Sequence, residues 1–185
     1  MILFVGGIVY IEQDINMQTF VPYTTFTESA AALDSKRLNK QLLEGRQIYN
    51  ILRLKLTTGA WVNHPAVKMW RNYNTALFHY LTAVKNECDF RGIKTDTNWQ
   101  AILRMRDSDY GTGVNLVMPP WWGDERVHLS HRQNLYNKDP EYYDFFINDS
   151  RLTKSSCCDK CNYFWPTHVL MYNGELLEPF QYVRV

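Results

Sequence analysis

Residues 34–56 read DSKRLNKQLLEGRQIYNILRLKL and have the periodicity of an amphipathic helix. At 3.6 residues per turn the apolar residues fall on one side, which we expect to face a core: Leu38, Leu42, Tyr49, Leu52 and Leu56. A second side carries polar residues spaced three and four apart: Arg37, Lys40, Glu44 and Gln47. The stretch therefore predicts a long helix with one buried side and one polar side.

Glu44 is the acidic member of that polar side, and four cations surround it in sequence: Lys36, Arg37, Lys40 and Arg46. A neighbouring cation favours the ionised form of a carboxylate, and such a group can bind phosphate or steer a proton. The alternative is an ordinary solvated helix face held by ion pairs three and four residues apart.

Length and composition indicate a single domain and leave nucleic-acid binding open. The chain has 185 residues, enough for a sizeable core, and 15% of them are aromatic, so that some rings are available as stacking platforms. The formal net charge is only +1. Any affinity for nucleic acid must therefore come from the local basic clusters at 36–55 and 126–138.

The four cysteines do not form the framework of a disulfide-rich domain, because three of them lie within five residues: Cys88, Cys157, Cys158 and Cys161. Cys158 and Cys161 have CxxC spacing, but no second pair follows. A zinc site would need Cys157, Cys88 or His168 to complete four ligands. We expect reduced thiols, no metal and no other cofactor.

The first sixteen residues, MILFVGGIVYIEQDIN, lack the basic region and cleavage site of a signal peptide and are too short to span a bilayer. They predict either an N-terminal extension or an edge strand over Ile2–Ile11. The better-patterned sequence begins at Met17. We expect a soluble, cytoplasmic protein with no membrane contact.

Local signals divide the remaining chain into short elements. A strand is predicted for Gln18–Val21, and the capping-box pair Thr25 and Glu28 opens a short helix through Ala32. Asp34 or Ser35 can cap the long helix. Gly45 marks a place where a partner helix can approach closely.

Further along, Asn63 or His64 lies just before a predicted helix, with Pro65 at its first position. We expect the helix to continue from there through residues 66 to 88. Helices at 98–106 and 124–137 follow, with a turn or two at 141–147, and Phe164 lies in an aromatic segment that can pack back on the core. Asn173-Gly174 predicts a hairpin. The predicted fold is mostly α: a compact single-domain helical bundle over 17–166, with 1–16 as extension or edge strand, 167–185 as C-terminal hairpin or tail, and minor β structure near the termini.

A second group of chemically active residues lies in the predicted helix at 124–137. His128, His131 and Arg132 share a face, and the carboxylate of a zinc-protease signature is absent. We interpret them as phosphate contacts supported by Ser130 and Lys138, or as an ordinary helix exterior.

Two more candidates stand outside that helix. Trp121 and Trp122 offer a stacking surface, or else anchor the core beside Pro119-Pro120. His64 is either a site residue or a helix-start residue hydrogen-bonded to backbone. Phosphate-loop, dinucleotide and nucleophile-elbow motifs are missing, which weighs against the common nucleotide, dinucleotide and hydrolase chemistries.

Four blocks can be read together: LDSKRLNKQLLEGRQI, WVNHPAVKMW, PPWWGDERVHLSHRQNLYNKDPEYY and YFWP. In this order the chain, over about Met17 to Trp165, resembles a bacterial and phage family of small proteins related to pyrimidine-dimer DNA glycosylases. The resemblance implies a compact helical protein that uses no metal. It also implies attack on C1′ of a damaged nucleotide by an N-terminal amine, followed by strand cleavage through β-elimination.

The resemblance implies roles for particular residues. Glu44 falls where the family has its catalytic glutamate, and the phosphate-binding candidates are Lys36, Arg37, Lys40 and Arg46. The amine would be that of Met17 if the chain starts there, with Lys36 or Lys40 as substitutes. His64, His131 and Arg132 would line the site.

The resulting expectation is a monomeric DNA glycosylase, with abasic-site lyase activity, that acts on damaged or modified pyrimidines in DNA. One alternative is a non-catalytic nucleic-acid-binding protein with the same basic surface. A second alternative is an enzyme that acts on free nucleosides or modified bases.

Overall fold

The computed structural model describes residues 17–59, 61–106, 116–152 and 164 with their side chains, and residues 4–5, 8–9, 171–172 and 175–176 as backbone only. Its helices are α1 Phe26–Ala31, α2 Ser35–Arg53, α3 Pro65–Lys68, α4 Asn74–Phe90, α5 Asp96–Met105 and α6 Glu125–Lys138, followed by a 3-10 helix at Asp144–Asn148. The prediction of a mostly α fold is confirmed. Within the described part of the chain, no helix is long and apolar enough to cross a membrane.

Within the residues that the structure describes, the β structure consists of two small antiparallel pairs near the ends of the chain. Strands β1 (Phe4–Val5) and β2 (Ile8–Val9) pair with each other, as do β3 (Met171–Tyr172) and β4 (Glu175–Leu176). The C-terminal pair confirms the predicted hairpin. At the N-terminus, two short strands replace the single edge strand expected over residues 2–11.

Local capping signals are confirmed because they depend only on neighbours in sequence. The Thr25 hydroxyl accepts a hydrogen bond from the backbone N–H of Glu28 and caps α1. The Asp34 carboxylate accepts one from the N–H of Arg37, so that α2 begins at Ser35. At the other end α2 stops at Arg53, and Leu56 lies beyond it, 40% exposed, instead of in the predicted apolar stripe.

The single helix predicted from 66 to 88 is wrong, since α3 ends at Lys68 and α4 begins only at Asn74. The carbonyl of Met69 accepts a hydrogen bond from the indole N–H of Trp121 at 2.7 Å, and Asn72 has a left-handed backbone with φ of 70°. A carbonyl engaged by a distant side chain and a left-handed residue both interrupt the helical pattern.

Helices α2 and α4 pack closely at Gly45. A Cβ added to this glycine would lie 2.2 Å from Leu81 Cδ2 of α4, and Leu81 is fully buried. The close approach expected at Gly45 is thus confirmed. Leu38, Leu42 and Tyr49 of α2 enter the same core.

The strand predicted for Gln18–Val21 is wrong, although its peptide groups are hydrogen-bonded. The backbone N–H groups of this segment bind side chains: that of Phe20 donates to Gln41 Oε1 at 2.8 Å, and that of Val21 donates to His131 Nδ1 at 3.2 Å. Buried backbone groups must be paired, and side chains of α2 and α6 take the place of a neighbouring strand. The segment is thereby held between the two helices.

Candidate functional site

Gln41 attaches the segment 17–22 to α2 through both ends of its side-chain amide. Its Oε1 accepts from the Phe20 N–H, and its Nε2 donates to the carbonyl of Gln18 at 3.1 Å. The Tyr80 hydroxyl of α4 lies 2.8 Å from both Gln41 Oε1 and the carbonyl of Phe20. Gln41 and Tyr80 are fully buried, so these contacts are shielded from water.

Glu44 lies one helical turn beyond Gln41 and binds the same segment. Its Oε2 accepts a hydrogen bond from the backbone N–H of Gln18 at 3.2 Å, and Gln41 Nε2 lies 3.4 Å from the same oxygen. Its Oε1 lies 3.2 Å from Nζ of Lys40. Glu44 is only 5% exposed, whereas the side chain of Lys40 is 52% exposed. The carboxylate therefore lies just inside the surface, behind a lysine.

Burial raises the pKa of Glu44 above its ordinary value of 4.5, and this effect exceeds the opposing effects of Lys40, the Gln18 N–H and Lys138. The neighbouring cations lower the pKa of Glu44, as expected from the sequence, but burial outweighs them. A carboxyl group with a raised pKa holds its proton closer to neutral pH. Such a group is suited to accepting and returning a proton.

Of the predicted cations, the structure brings Lys40 and Lys138 near Glu44. Arg37 lies on the same side of α2 but forms ion pairs with Asp34 and Asp139, at 2.5 and 3.4 Å. Lys36 is exposed at the start of α2.

Arg46 does not join the group around Glu44. It comes two residues later and therefore lies roughly 200° around the helix. There it lines a groove between α2 and α5 together with Arg104. The cluster predicted from the sequence is thus divided between two sides of α2.

The phosphate contacts expected from α6 do not fit the structure, because the face of that helix carrying the two histidines is buried. His131 is completely buried, and its Nδ1 accepts from the Val21 N–H. Burial lowers its pKa to about 3, so the ring is neutral at physiological pH. His128 is also buried, and its Nδ1 lies 2.7 Å from the carbonyl of Val21.

Arg132 is likewise taken up by the protein itself. It is 8% exposed, donates to the carbonyl of Pro22 at 2.7 Å and is paired with Glu125 and Asp149. The role assigned to Ser130 is also replaced, because its hydroxyl donates to the carbonyl of Val127 and accepts from the N–H of Phe164. These residues position the 17–22 segment and the aromatic Phe164 on α6, so their own polar groups are already engaged within the protein.

The tryptophan pair forms part of the core. Trp121 is fully buried, with its indole N–H on the carbonyl of Met69, which does not fit a stacking surface for bases. Trp122 is half-buried; its indole N–H donates to the carbonyl of Thr24, and its ring lies 4.6 Å from that of Phe26. The core-anchoring alternative is the one that fits Trp121.

His64 and Met17 are the two remaining residues of the predicted site, and both are buried. His64 caps α3, where its Nδ1 accepts from the N–H of Ala66 at 3.1 Å. This arrangement matches the structural alternative for His64. Met17 is 3% exposed and precedes Gln18, whose N–H binds Glu44.

Sequence reasoning missed Gln18, Gln41 and Tyr80. Gln41 had a recognisable signal, because it lies within the apolar stripe of α2 and three residues before Glu44. A polar side chain that faces a core needs partners there. Gln18 and Tyr80 had no such local signal, since their partners come from other elements.

Among the described residues, no group of three or more histidine, cysteine or acidic side chains could hold a metal ion. Cys88 is buried. The possible zinc ligands Cys157, Cys158, Cys161 and His168 lie outside the described residues.

Comparison with protein families gives one match, and it covers the elements that build the Glu44 site. A family described as pyrimidine dimer DNA glycosylase matches residues 17–101, slightly less than half of the chain, from Met17 into α5. Neither a comparison with curated proteins nor one with solved structures gives a match. The match begins at the segment bound by Glu44 and includes all of α2 and α4. Residues 17–101 thus match the family of pyrimidine dimer DNA glycosylases, which is the family that the resemblance in the sequence predicted.

Proposed function

We propose that the protein is a DNA glycosylase, with abasic-site lyase activity, that acts on damaged or modified pyrimidines in DNA. The family match over 17–101 supports the glycosylase activity. One observation carries the mechanism: the Glu44 carboxylate is hydrogen-bonded to the backbone N–H of Gln18, one residue after Met17. In a form of the chain that starts at Met17, the α-amine lies one peptide unit from this carboxylate.

The chemistry needs an amine and a carboxylate at one sugar. The amine nitrogen bonds to C1′ as the bond from C1′ to the base breaks, and the base leaves with the electron pair and takes up a proton. Loss of the proton on nitrogen and opening of the C1′–O4′ bond give an imine. Removal of a C2′ proton then expels the 3′ phosphate. Glu44 accepts and returns protons in these steps, and its raised pKa suits that role.

Two amines are the main candidates for the nucleophile, and they make different predictions. The α-amine of Met17 requires that the active chain begin there. The side-chain amine of Lys40, with Nζ 3.2 Å from Glu44 Oε1 and half exposed, requires no processing. Lys36, the third candidate from the sequence, has no ion pair to Glu44 among the described contacts and is the weaker choice.

The proposed DNA contacts lie on the same side of α2 as Glu44. Lys36, Lys40 and Lys138 supply positive charge there, and Arg37 adds to it within its ion pairs. Counterion release from a few such contacts is sufficient for binding even at a net charge of +1. We propose Trp122, the more exposed tryptophan, as a neighbouring aromatic contact. Residues 17–166 act as one domain and as a monomer in the cytoplasm, where the DNA is.

Borohydride trapping on DNA that contains an abasic site tests the proposal. The natural N-terminus is first determined by mass spectrometry, and the full chain is then compared with a chain that starts at Met17. We expect a covalent adduct and strand incision, with both lost in Glu44→Gln. Peptide mapping of the adduct distinguishes Met17 from Lys40, and Lys40→Gln is the matched control for the second amine.

Absence of adduct and of incision in both forms of the chain would contradict the proposal. Salt-sensitive DNA binding that Glu44→Gln leaves intact, without product in either protein, would favour the non-catalytic alternative. Turnover of free nucleosides with little salt dependence would favour the nucleoside-directed alternative.

A further inference from the structure

A cavity of about 510 Å³ lies at the C-terminal end of α2, outside the Glu44 site. Its apolar wall is formed by Ile51, Leu56 and Val62. Its polar rim comes from the turn after α2 and from the segments on either side of α3. The cavity falls within the range of about 300 to 1,000 Å³ that is typical of small-molecule sites.

Two cations face this cavity, and no acidic residue lines it: Lys55 and Arg71. Neither forms an ion pair with a carboxylate within the described part of the chain. The guanidinium of Arg71 donates to the carbonyl of Val62 at 3.2 Å, which holds it at the rim. Both residues are exposed, and two positive charges without a counter-charge among the described residues favour an anionic ligand.

Three side-chain amides complete the rim: Asn63, Asn72 and Asn74. No hydrogen bond joins any of these amides to another described residue. Each amide offers both donors and an acceptor, the combination that pairs with the edge of a nucleobase.

The backbone at two of these positions adopts a conformation that side chains disfavour. Lys55 has φ of 50° and Asn72 has φ of 70°, and among the described residues they are the only non-glycine residues with positive φ. Both line the same cavity. Backbone strain of this kind is common where a side chain must be presented to a ligand.

We propose that this cavity binds a nucleotide, either free or as a unit of a nucleic-acid strand. The base lies against the wall of Ile51, Leu56 and Val62, with its edge toward the asparagine amides. The phosphate lies between Lys55 and Arg71.

The choice of a nucleotide over other anions rests on the proposed function. The distance of the cavity from Glu44 fits such a ligand. Ile51 follows Glu44 by seven residues, so the two lie on the same side of α2, roughly 10 Å apart along the helix axis. Three nucleotides of a duplex strand rise by about the same distance. One strand can therefore reach both places.

Nuclear magnetic resonance titration of the ¹⁵N-labelled full chain tests the ligand class. The probes are the four deoxynucleoside monophosphates, inorganic phosphate and a short single strand, the last added to Glu44→Gln so that it is not cleaved. We expect shifts at Lys55, Arg71 and Asn72, and affinity for at least one nucleotide, free or in the strand, at least about tenfold above that for phosphate. Equal affinity for phosphate, or no shifts with any probe, would overturn the proposal.

Two glycine variants test whether nucleotide binding can be weakened without lowering the stability of the fold. Lys55→Gly and Asn72→Gly each remove one polar group while allowing positive φ. We expect each to weaken nucleotide binding by about tenfold without lowering Tm, because the strain is relieved. Lys94→Gln, an exposed lysine outside the cavity, is the charge-matched control and should bind as the natural protein does. Unchanged binding in both glycine variants would refute the assignment.

The trapping experiment distinguishes this inference from the proposed function. Adduct formation with no nucleotide binding in the cavity would overturn the cavity proposal alone. Nucleotide binding in the cavity with no adduct would overturn only the glycosylase proposal.

Discussion

At the scale of single residues, Glu44 shows how burial can outweigh neighbouring charge. Its carboxylate has Lys40 at 3.2 Å, yet its pKa is raised because water has been replaced by packed protein. The N–H of Gln18 supplies part of the lost solvation. The sequence reveals the cation but not the degree of burial, and the burial decides the direction of the shift.

The raised pKa makes a prediction for stability. A carboxyl group whose pKa is higher in the folded protein stabilises the fold below its unfolded value, near 4.5, and loses this contribution as pH rises through the folded pKa. Glu44→Gln removes this titration. We therefore expect its free energy of unfolding to rise relative to the natural protein between pH 4 and pH 7. Urea denaturation of both proteins at both pH values measures this change. The prediction is contradicted if the difference in their free energies of unfolding is the same at pH 4 and pH 7.

At the scale of elements, α2 combines a core side with the candidate site, and its partners fix both. Gly45 allows α4 to approach so closely that Leu81 occupies the space of a side chain. On the site side, Gln41 and Glu44 hold an extended segment through hydrogen bonds that a β-strand would otherwise provide. The segment 17–22 is therefore extended without belonging to a sheet.

Gly45→Ala tests the close approach of the two helices. Alanine improves helix propensity by about 1 kcal/mol, but overpacking a filled core costs about 1 to 3 kcal/mol, and here the new Cβ would lie 2.2 Å from Leu81 Cδ2. We expect a net loss of up to about 2 kcal/mol in the free energy of unfolding. In Gly45→Ala combined with Leu81→Ala, the glycine substitution should become neutral or stabilising. Additive losses in that double variant would contradict the packing explanation.

At the scale of the whole molecule, buried histidines join distant parts of the chain. His131 of α6 accepts from Val21, more than a hundred residues earlier, and His128 contacts the same residue through its carbonyl. Both rings are kept neutral by burial. The hydrogen bond from Val21 to His131 thus depends on an unprotonated imidazole, and the attachment of the N-terminal segment to α6 depends on pH.

The acid stability of the protein should follow from this attachment. The pKa of His131 is lowered from 6.5 to about 3, so its contribution to stability is complete above pH 6.5 and is lost as pH falls toward 3. One such proton changes the free energy of unfolding by up to about 1.4 kcal/mol per pH unit. His131→Asn keeps an acceptor for the Val21 N–H without titrating. We expect a less stable variant at pH 7 whose stability falls less steeply with acid; equal slopes in urea denaturation series would contradict this.

The sequence alone determined the features that depend on residues close in sequence and on the spacing of apolar residues along a helix. The caps at Thr25 and Asp34, the helix start at His64 and Pro65, the small residue at Gly45 and the family resemblance could all be recognised without coordinates. Capping and amphipathic spacing act within one or two helical turns, so the chain carries their signals locally.

Only the tertiary structure decided which polar and aromatic residues are exposed and which are buried. The side chains of His131, Arg132 and Trp121 are chemically suited to nucleic-acid contact. The packing of distant segments nevertheless buries them. The same packing gives the N–H groups of 17–22 side-chain partners in place of a strand. Burial and long-range hydrogen bonding depend on segments far apart in sequence, and no local pattern contains that information.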